Sequence, residues 1–313
     1  TNRGILPYVI IDPSLDGTGV SFATLDKQGT VSNGVSTGSG ALRALLPSEY
    51  TAGGTLVVSV ATRTAPNILL NQGPQTYSAS GEGYINSLTI SGGTILTLGT
   101  VNLQPKLTVT SGGVLLLGDG SGIGVGAVGG VLTTTAPNPL IFYTPQPGST
   151  HLVSSALLVN PSGVSSTPGL VKAGQGTLVL GGVFAGGQSA NLVTGSIVIN
   201  EGTIQIMANN AFNYRTPQGL MVNGGGLSGA GGQLDLNGYS LMIGALTNQG
   251  AAVNAGVPGG QITSSTGTGG LVSNTNYASV FSGQITGGSV SFAKGGASTL
   301  TLLANNTYGG ATL

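Results

Sequence analysis

The stretch from Ser87 to Gly113, SLTISGGTILTLGTVNLQPKLTVTSGG, decides how the rest of the chain is read. Ser87-Leu88-Thr89-Ile90 and Lys106-Leu107-Thr108-Val109 each alternate polar and apolar residues, and Ser91-Gly92-Gly93 and Ser111-Gly112-Gly113 follow them as turns. Alternate residues of a strand face the same side, so Leu88 with Ile90, and Leu107 with Val109, each give one interior two apolar side chains. The two turns lie 20 residues apart.

The same form recurs outward from this stretch. Thr177-Leu178-Val179-Leu180, Ser196-Ile197-Val198-Ile199, Thr203-Ile204-Gln205-Ile206, Gln233-Leu234-Asp235-Leu236 and Thr299-Leu300-Thr301-Leu302 repeat the alternation. Gly176 and Gly195 precede equivalent fragments 19 residues apart, and Gly202 opens the next after seven more. Short strands at a fixed spacing near 20, separated by Gly, Ser and Asn, predict an all-β chain coiled as a right-handed parallel β-helix, a β-solenoid of about 20 residues per coil with irregular loop excursions. A single coil buries too few side chains to offset the entropy of ordering its backbone, so the coils must stack. Residues 67–313 are expected to form the solenoid, with its clearest repeats near 170–206 and 292–313. Residues 1–66 are expected to be a β-rich segment running into it. The pattern is still in progress at Leu313, and the chain reads as a piece of a longer precursor or as a mature fragment.

Composition agrees with short strands and tight turns. Of 313 residues 58 are Gly and 39% are hydrophobic, while only 5% are charged, far below the usual quarter. No strict Gly-x-y period marks collagen. The eight basic residues, Arg3, Lys27, Arg43, Arg63, Lys106, Lys172, Arg215 and Lys294, stand singly and balance eight acidic ones. Nucleic-acid binding needs clustered cations and is set aside. No run of 18 apolar residues marks a transmembrane helix, and no segment suggests insertion into a membrane. Cysteine is absent, so disulfides and thiolate chemistry are excluded. Helical rhythm is confined to Gly40–Tyr50, where Leu42, Leu45 and Leu46 suggest one or two turns stopped by Pro47, and to a weak turn around Ala208–Phe212. Asn86, Asn102, Asn200, Asn237, Asn248, Asn305 and Asn306 fall near corners, where they would either stack as amide ladders or accept left-handed turns.

A β-helix also serves polysaccharide-cleaving enzymes, whose two carboxylates stand about 5–10 Å apart. Asp12, Asp16, Asp26, Glu49, Glu82, Asp119, Glu201 and Asp235 offer no pair at matching coil positions; Glu201 and Asp235 are 34 apart in different strand contexts. Asp12 and Asp16 around Pro13 read as a turn, without the alternating acids of a calcium loop. His151 is the one histidine, which argues against a zinc site, and in the Pro-rich stretch 137–161 it reads as a solvated loop residue. A nucleophilic triad would have to pair it with Ser154 or Ser155. Gly118-Asp119-Gly120-Ser121-Gly122-Ile123-Gly124 superficially suggests a phosphate loop, but no helix follows to bind the phosphate. Tyr8, Tyr143, Tyr214, Tyr277 and Tyr308 are placed in turns or loops, and Asn305-Asn306-Thr307 matches a glycosylation acceptor by coincidence. No catalytic, cofactor-binding or metal-binding residue is assigned.

Two segments share a longer template. One is Lys172-Ala173-Gly174-Gln175-Gly176-Thr177-Leu178-Val179-Leu180-Gly181-Gly182. The other, 122 residues on, runs Lys294-Gly295-Gly296-Ala297-Ser298-Thr299-Leu300-Thr301-Leu302 and continues through Asn305, Asn306, Thr307, Tyr308, Gly309 and Gly310 to Thr312. Together they resemble the passenger-associated transport repeat of bacterial autotransporters. The first copy has Val183-Phe184-Ala185-Gly186-Gly187 in place of the Asn-Thr-Tyr turn, and the second has Ser298 where the pattern has Gly. Arg3–Ile10 and Gly19–Thr24 resemble segments between repeat arrays of such proteins. The resemblance implies a secreted passenger at the cell surface or in the extracellular matrix of a Gram-negative-type bacterium: a structural or adhesive rod or fibre without catalysis. Expected partners are further copies of itself, end to end or side by side, and surface glycans or receptors on host or neighbouring cells. The alternative reading is a polysaccharide-degrading β-helical enzyme or a carbohydrate-binding module.

Overall fold

A computed structural model describes residues 4–12, 19–26, 31–32, 35–36, 41–51, 54, 56–99, 105–125, 129–159, 168–181, 190–213, 217–225, 231–249 and 259–313. It is a parallel β-solenoid. Each coil runs through three short strands, such as Ser87–Ile90, Ile95–Leu98 and Lys106–Val109, and each strand pairs in parallel with its counterparts in the coils before and after. The three stacks are called here faces A, B and C. Face B, from Gln75–Tyr77 to Thr307–Tyr308, is the longest, with ten strands. At about 4.8 Å between strands it rises roughly 43 Å.

The coil is longer than the sequence spacing suggests. Leu88 stacks on Val114 and Thr177 on Thr203, each pair 26 apart, and Leu96 on Ile123 is 27. The 20-residue spacing joins unlike corners: Ser91-Gly92-Gly93 leaves face A for face B, while Ser111-Gly112-Gly113 leaves face C for face A. Thr177 and Ser196 likewise open strands of faces B and A.

The interior is a set of side-chain columns. On face A, Ile68, Leu88, Val114, Phe142, Lys172, Ile199 and Val222 lie in register, all fully buried. On face B, His151, Leu178, Ile204, Leu234, Ile262 and Ile285 do the same. Two ionisable groups therefore occupy aliphatic positions. Asn pairs mark some corners: Asn86 Nδ2 donates to Asn67 Oδ1 and Asn223 Nδ2 to Asn200 Oδ1, both at 2.7 Å. Asn237 instead adopts a left-handed φ of 46°. Ladders and left-handed turns thus both occur. Asn102 lies outside the described residues.

Face C is interrupted. Its five strands end at Leu192–Val193, and a second stack begins at Ser240–Ile243. Between them lies the irregular segment Ala208–Asn213, where the Val193 N–H donates to Phe212 O and the Asn210 N–H to Ser240 O. Ala208, Ala211 and Phe212 are buried there, so this turn fills a rung without extending the sheet.

Residues before the first coil form a separate antiparallel sheet of Leu6–Ile11, Ser21–Asp26 and Ala41–Ala44. The short helix expected around Leu42–Leu46 is not formed. Ala41–Ala44 is a strand, and Pro47 begins a 3-10 turn, Pro47–Glu49, rather than ending a helix, because its fixed φ suits a first helical position. Arg43 makes a paired salt bridge to Glu49 at 2.7 Å for each contact. This sheet packs outside face A: Val20, Phe22 and Leu45 meet the outward Leu115, Ile141 and Tyr143. Gly113 is required beneath it, since a Cβ there would stand 2.9 Å from the Phe22 ring. The chain then covers the open edge of the first coil. Ser59 bridges Tyr84 antiparallel, and the Thr51 N–H donates to Asn67 O. Covering an edge in this way blocks unwanted strand pairing.

Truncating Phe22 to Ala should cost about 3–5 kcal/mol of local stability. Limited proteolysis should then cut within residues 1–66 much faster than in the parent, while the thermal transition of the solenoid moves little. Equal loss in both would show that sheet and solenoid unfold as one.

Candidate functional site

The chemistry-bearing residues gather where face A turns into face B around Lys172. Lys172 occupies an inward position of the strand Pro168–Ala173. Its ammonium donates to three backbone carbonyls: Gly174 O at 2.5 Å, Glu201 O at 2.9 Å and Ala173 O at 3.2 Å. Three donors meet three acceptors, which suits the charged form. Burial acts in the opposite sense, and Lys172 is pulled down to about 7, with Glu201 only partly offsetting the loss of water. Gly202, at φ +67°, must be Gly because a Cβ would meet Gly174 O at 2.3 Å and Lys172 Nζ at 2.8 Å.

His151 lies in the preceding coil, in the strand Thr150–Val153, and its ring is fully buried. The solvated loop expected for it is wrong: the alternation of Thr150, His151, Leu152 and Val153 is a strand with His151 and Val153 inward. Its Nδ1 lies 2.9 Å from Ser121 O, which can only accept, so Nδ1 carries the proton. Nε2 lies 2.9 Å from the Ser149 hydroxyl, which itself donates to Gln146 O at 2.7 Å. Burial lowers its pKa, Ser121 O and Asp119 oppose this, and the charge of Lys172 lowers it further.

The Lys-x-Gly motif is what builds this corner. Gly174 is left-handed at φ +80°, a Cβ on it would meet Thr144 O at 2.7 Å, and the Gly176 N–H donates to Thr144 O at 2.8 Å. The second copy builds the same turn on a different corner. Gly296 has φ +75° and lies against Thr275 O, and the single proton of Ser298 Oγ is shared between Thr275 O at 2.8 Å and Tyr277 O at 2.7 Å. Ser298 thus makes by side chain the contact that Gly176 makes by backbone. Lys294 donates to Gly295 O, repeating the local half of the Lys172 cage.

The remaining candidates are dispersed. Ser154 and Ser155 are not the partners of His151, whose ring nitrogens are taken by Ser121 and Ser149. Asp235 accepts from the Asn237 and Ser265 N–H groups, the Ser265 hydroxyl and Gln205 Nε2, at 2.6–2.9 Å. Burial raises its pKa, but these donors outweigh it and hold the carboxylate below its usual range. Glu82 is paired with Lys106 at 3.0 Å and accepts from Thr108. Asp119, within the glycine loop, accepts from the Thr150 N–H, and the strand Gly122–Val125 follows that loop. Asp16 and Tyr214 lie outside the described residues, as does the side chain of Asp26. Among the described residues no group of three or more His, Cys, Asp or Glu is arranged to hold a metal, and no helix is long and apolar enough to cross a membrane.

One further feature is not announced by any motif. The outward side of face B carries Thr177, Thr203, Gln233 and Gln261 in register. Thr203 Oγ1 donates to Gln233 Oε1, Gln233 Nε2 to Gln261 Oε1, and Gln261 Nε2 to Thr286 Oγ1, at 3.0–3.3 Å. The alternation that marks these strands also fixes which residues face out, so the stripe was readable once the true coil length was known. No protein-family model, curated protein or solved structure matches this chain.

The sign of the pH dependence follows from the two buried bases. Lys172 binds its proton near 7 when folded and near 10.5 when unfolded. The unfolded chain therefore holds the extra proton across that window, and stability rises with pH from about 7 to 10.5. His151, lowered from 6.5, removes stability as pH falls below that value. Denaturant titrations should show both slopes, with Lys172→Met flattening the alkaline one and His151→Gln the acidic one. A Lys172→Met slope equal to the parent's would exclude Lys172 as its source.

Proposed function

We propose that this chain is a structural and adhesive segment of a secreted, surface-exposed bacterial protein, a stiff neutral rod that works by shape and by contact rather than by catalysis. One observation carries the reading. The two copies of the Lys-x-Gly motif fold into one corner design on two different sides of the coil, each locked onto a threonine carbonyl of the coil below. A motif reused as a corner, independent of face, has its use in building the stack. This supports the resemblance of those copies to autotransporter passenger repeats, and with it export to the surface of a Gram-negative-type cell.

Other features agree. Asp235, Glu82 and Glu49 are engaged in hydrogen bonds or ion pairs that hold strands and turns. The sparse charge lowers repulsion between neighbouring rods, which favours side-by-side contact. At the first coil the edge is covered by residues around Thr51 and Ser59, so joining of copies through that end is disfavoured relative to lateral contact.

Negative-stain images of the purified chain should show uniform short rods resistant to protease, and antibody against it should label intact cells of its parent organism. Compact particles, or label appearing only after cells are broken, would remove the proposal.

A further inference from the structure

The geometry points to the outward side of face B as a binding strip for a neutral, linear polysaccharide, and we propose that such a chain lies along the stack and is held rung by rung. The inference deepens the adhesive reading of the rod by naming where and what it grips; it rests on that reading for its biological setting only.

The strip has two columns. Thr150, Thr177, Thr203, Gln233, Gln261 and Gln284 form the first, in unbroken register over six consecutive coils. In the second, Gln205, Thr263 and Thr286 continue a line that begins with Leu152 and Val179. Within a rung the two columns stand about 7 Å apart, and successive rungs about 4.8 Å. Thr150, Gln261, Gln284 and Thr307 are exposed, and Thr177, Thr203 and Gln233 are half-buried.

The chemistry selects the occupant. Every amide and hydroxyl here both donates and accepts, as sugar hydroxyls do. The one carboxylate within the strip, Asp235, is 4% exposed and spends both oxygens on four protein donors, so it presents no charge to a ligand. A polyanion or polycation gains nothing from such a surface. Leu152, 43% exposed, begins the strip with an apolar spot suited to the C–H face of a sugar ring, while Val179 beside it is buried. The ladder bonds keep the side chains ordered before any ligand arrives, which cuts the entropy cost of binding.

Area argues against a second copy as the occupant. Six rungs of about 4.8 Å each by a width near 10 Å give roughly 300 Å², against about 800 Å² per partner in a stable protein interface. The strip also lacks the aromatic and arginine anchors on which such interfaces depend. A single glycan chain needs no more than a narrow track of this kind.

The test is affinity electrophoresis of the whole chain in gels containing a soluble neutral β-glucan, a soluble neutral α-glucan or polygalacturonate. At least one neutral glycan should retard it, and retardation should survive about 0.5 M NaCl, where exposed charge pairing is screened. The double substitution Gln233→Ala/Gln261→Ala removes neighbouring ladder partners together and faces water, so it should leave the thermal transition unchanged. It should weaken glycan affinity at least about tenfold, the effect of losing two net hydrogen bonds. Tyr277→Ala, 80% exposed and off the strip, should bind as the parent does. Retardation by polygalacturonate alone, loss through Tyr277→Ala but not the double variant, or a dimer abolished by the double variant without any glycan binding would each overturn the assignment. So would failure of both neutral glycans to retard the chain. Rod shape and surface labelling are read separately, so uniform surface rods that bind neither glycan would sink this inference and leave the structural role standing.

Discussion

The described strands of the solenoid are two to six residues long and have no strand partner within their own coil. Their backbone groups are satisfied only by the coil above and the coil below, and their inward side chains only by the column they stack in. Register between coils is therefore the constraint on which all else depends. A slip of one residue would turn Leu88, Val114 and Phe142 outward together and bring Thr89, Leu115 and Tyr143 in. The corners exist to prevent such a slip. Gly112, Gly174 and Gly296 all take left-handed turns directly against a carbonyl of the neighbouring coil, where no side chain fits. Part of the glycine content serves that device, at corners where a strand ends and the next face begins.

The buried bases show how the same constraint tolerates polar groups. Lys172 stands in a column whose neighbours are Phe142 and Ile199, yet its stem packs as they do and only its tip needs partners. The corner supplies them as backbone carbonyls, of which Ala173 O also accepts from the Thr144 N–H. Lys172 thus offsets the cost of its own desolvated charge with acceptors that the turn brings to it. His151 does similar work one coil earlier, tying Ser121 O to the Ser149 hydroxyl. Neither group reaches water, and their polarity is spent on holding corners.

Much of this was legible in the sequence. The two-residue alternation placed Ser87–Ile90, Lys106–Val109, Thr177–Leu180, Ser196–Ile199 and Thr203–Ile206 in strands, because nothing competes with it in a chain nearly free of helical rhythm. The coil length was not legible, since Ser-Gly-Gly turns serve more than one corner and their spacing mixes unlike positions. His151 was misread because nearby prolines suggested a loop, whereas the strand Thr150–Val153 begins just after Gly148 and keeps its alternation. Pro47 was read as a stop because the preceding leucines fit a helix; their partners in the antiparallel sheet lie some twenty residues away and leave no local trace. The corner role of Lys172 was equally hidden, since its acceptors are backbone atoms, which sequence does not distinguish.

The outward stripe of face B follows from the same geometry. Inward positions are dictated by packing, so their chemistry reports only that a core exists. Outward positions on an exposed, continuous sheet carry no such demand, and there the chain is free to alternate charges, as solvated sheets commonly do. Instead, face B presents threonine and glutamine through coil after coil, and its one carboxylate is turned to internal use. On faces A and C the outward residues vary in kind, from Leu115 and Tyr143 beneath the N-terminal sheet to Lys106 and Glu82 in their ion pair. A uniform neutral column on one side only is not required for stacking, since the hydrogen-bonded ladder of Gln233 and Gln261 adds little that water would not supply. Its uniformity is better accounted for by something outside the molecule that repeats along the same axis.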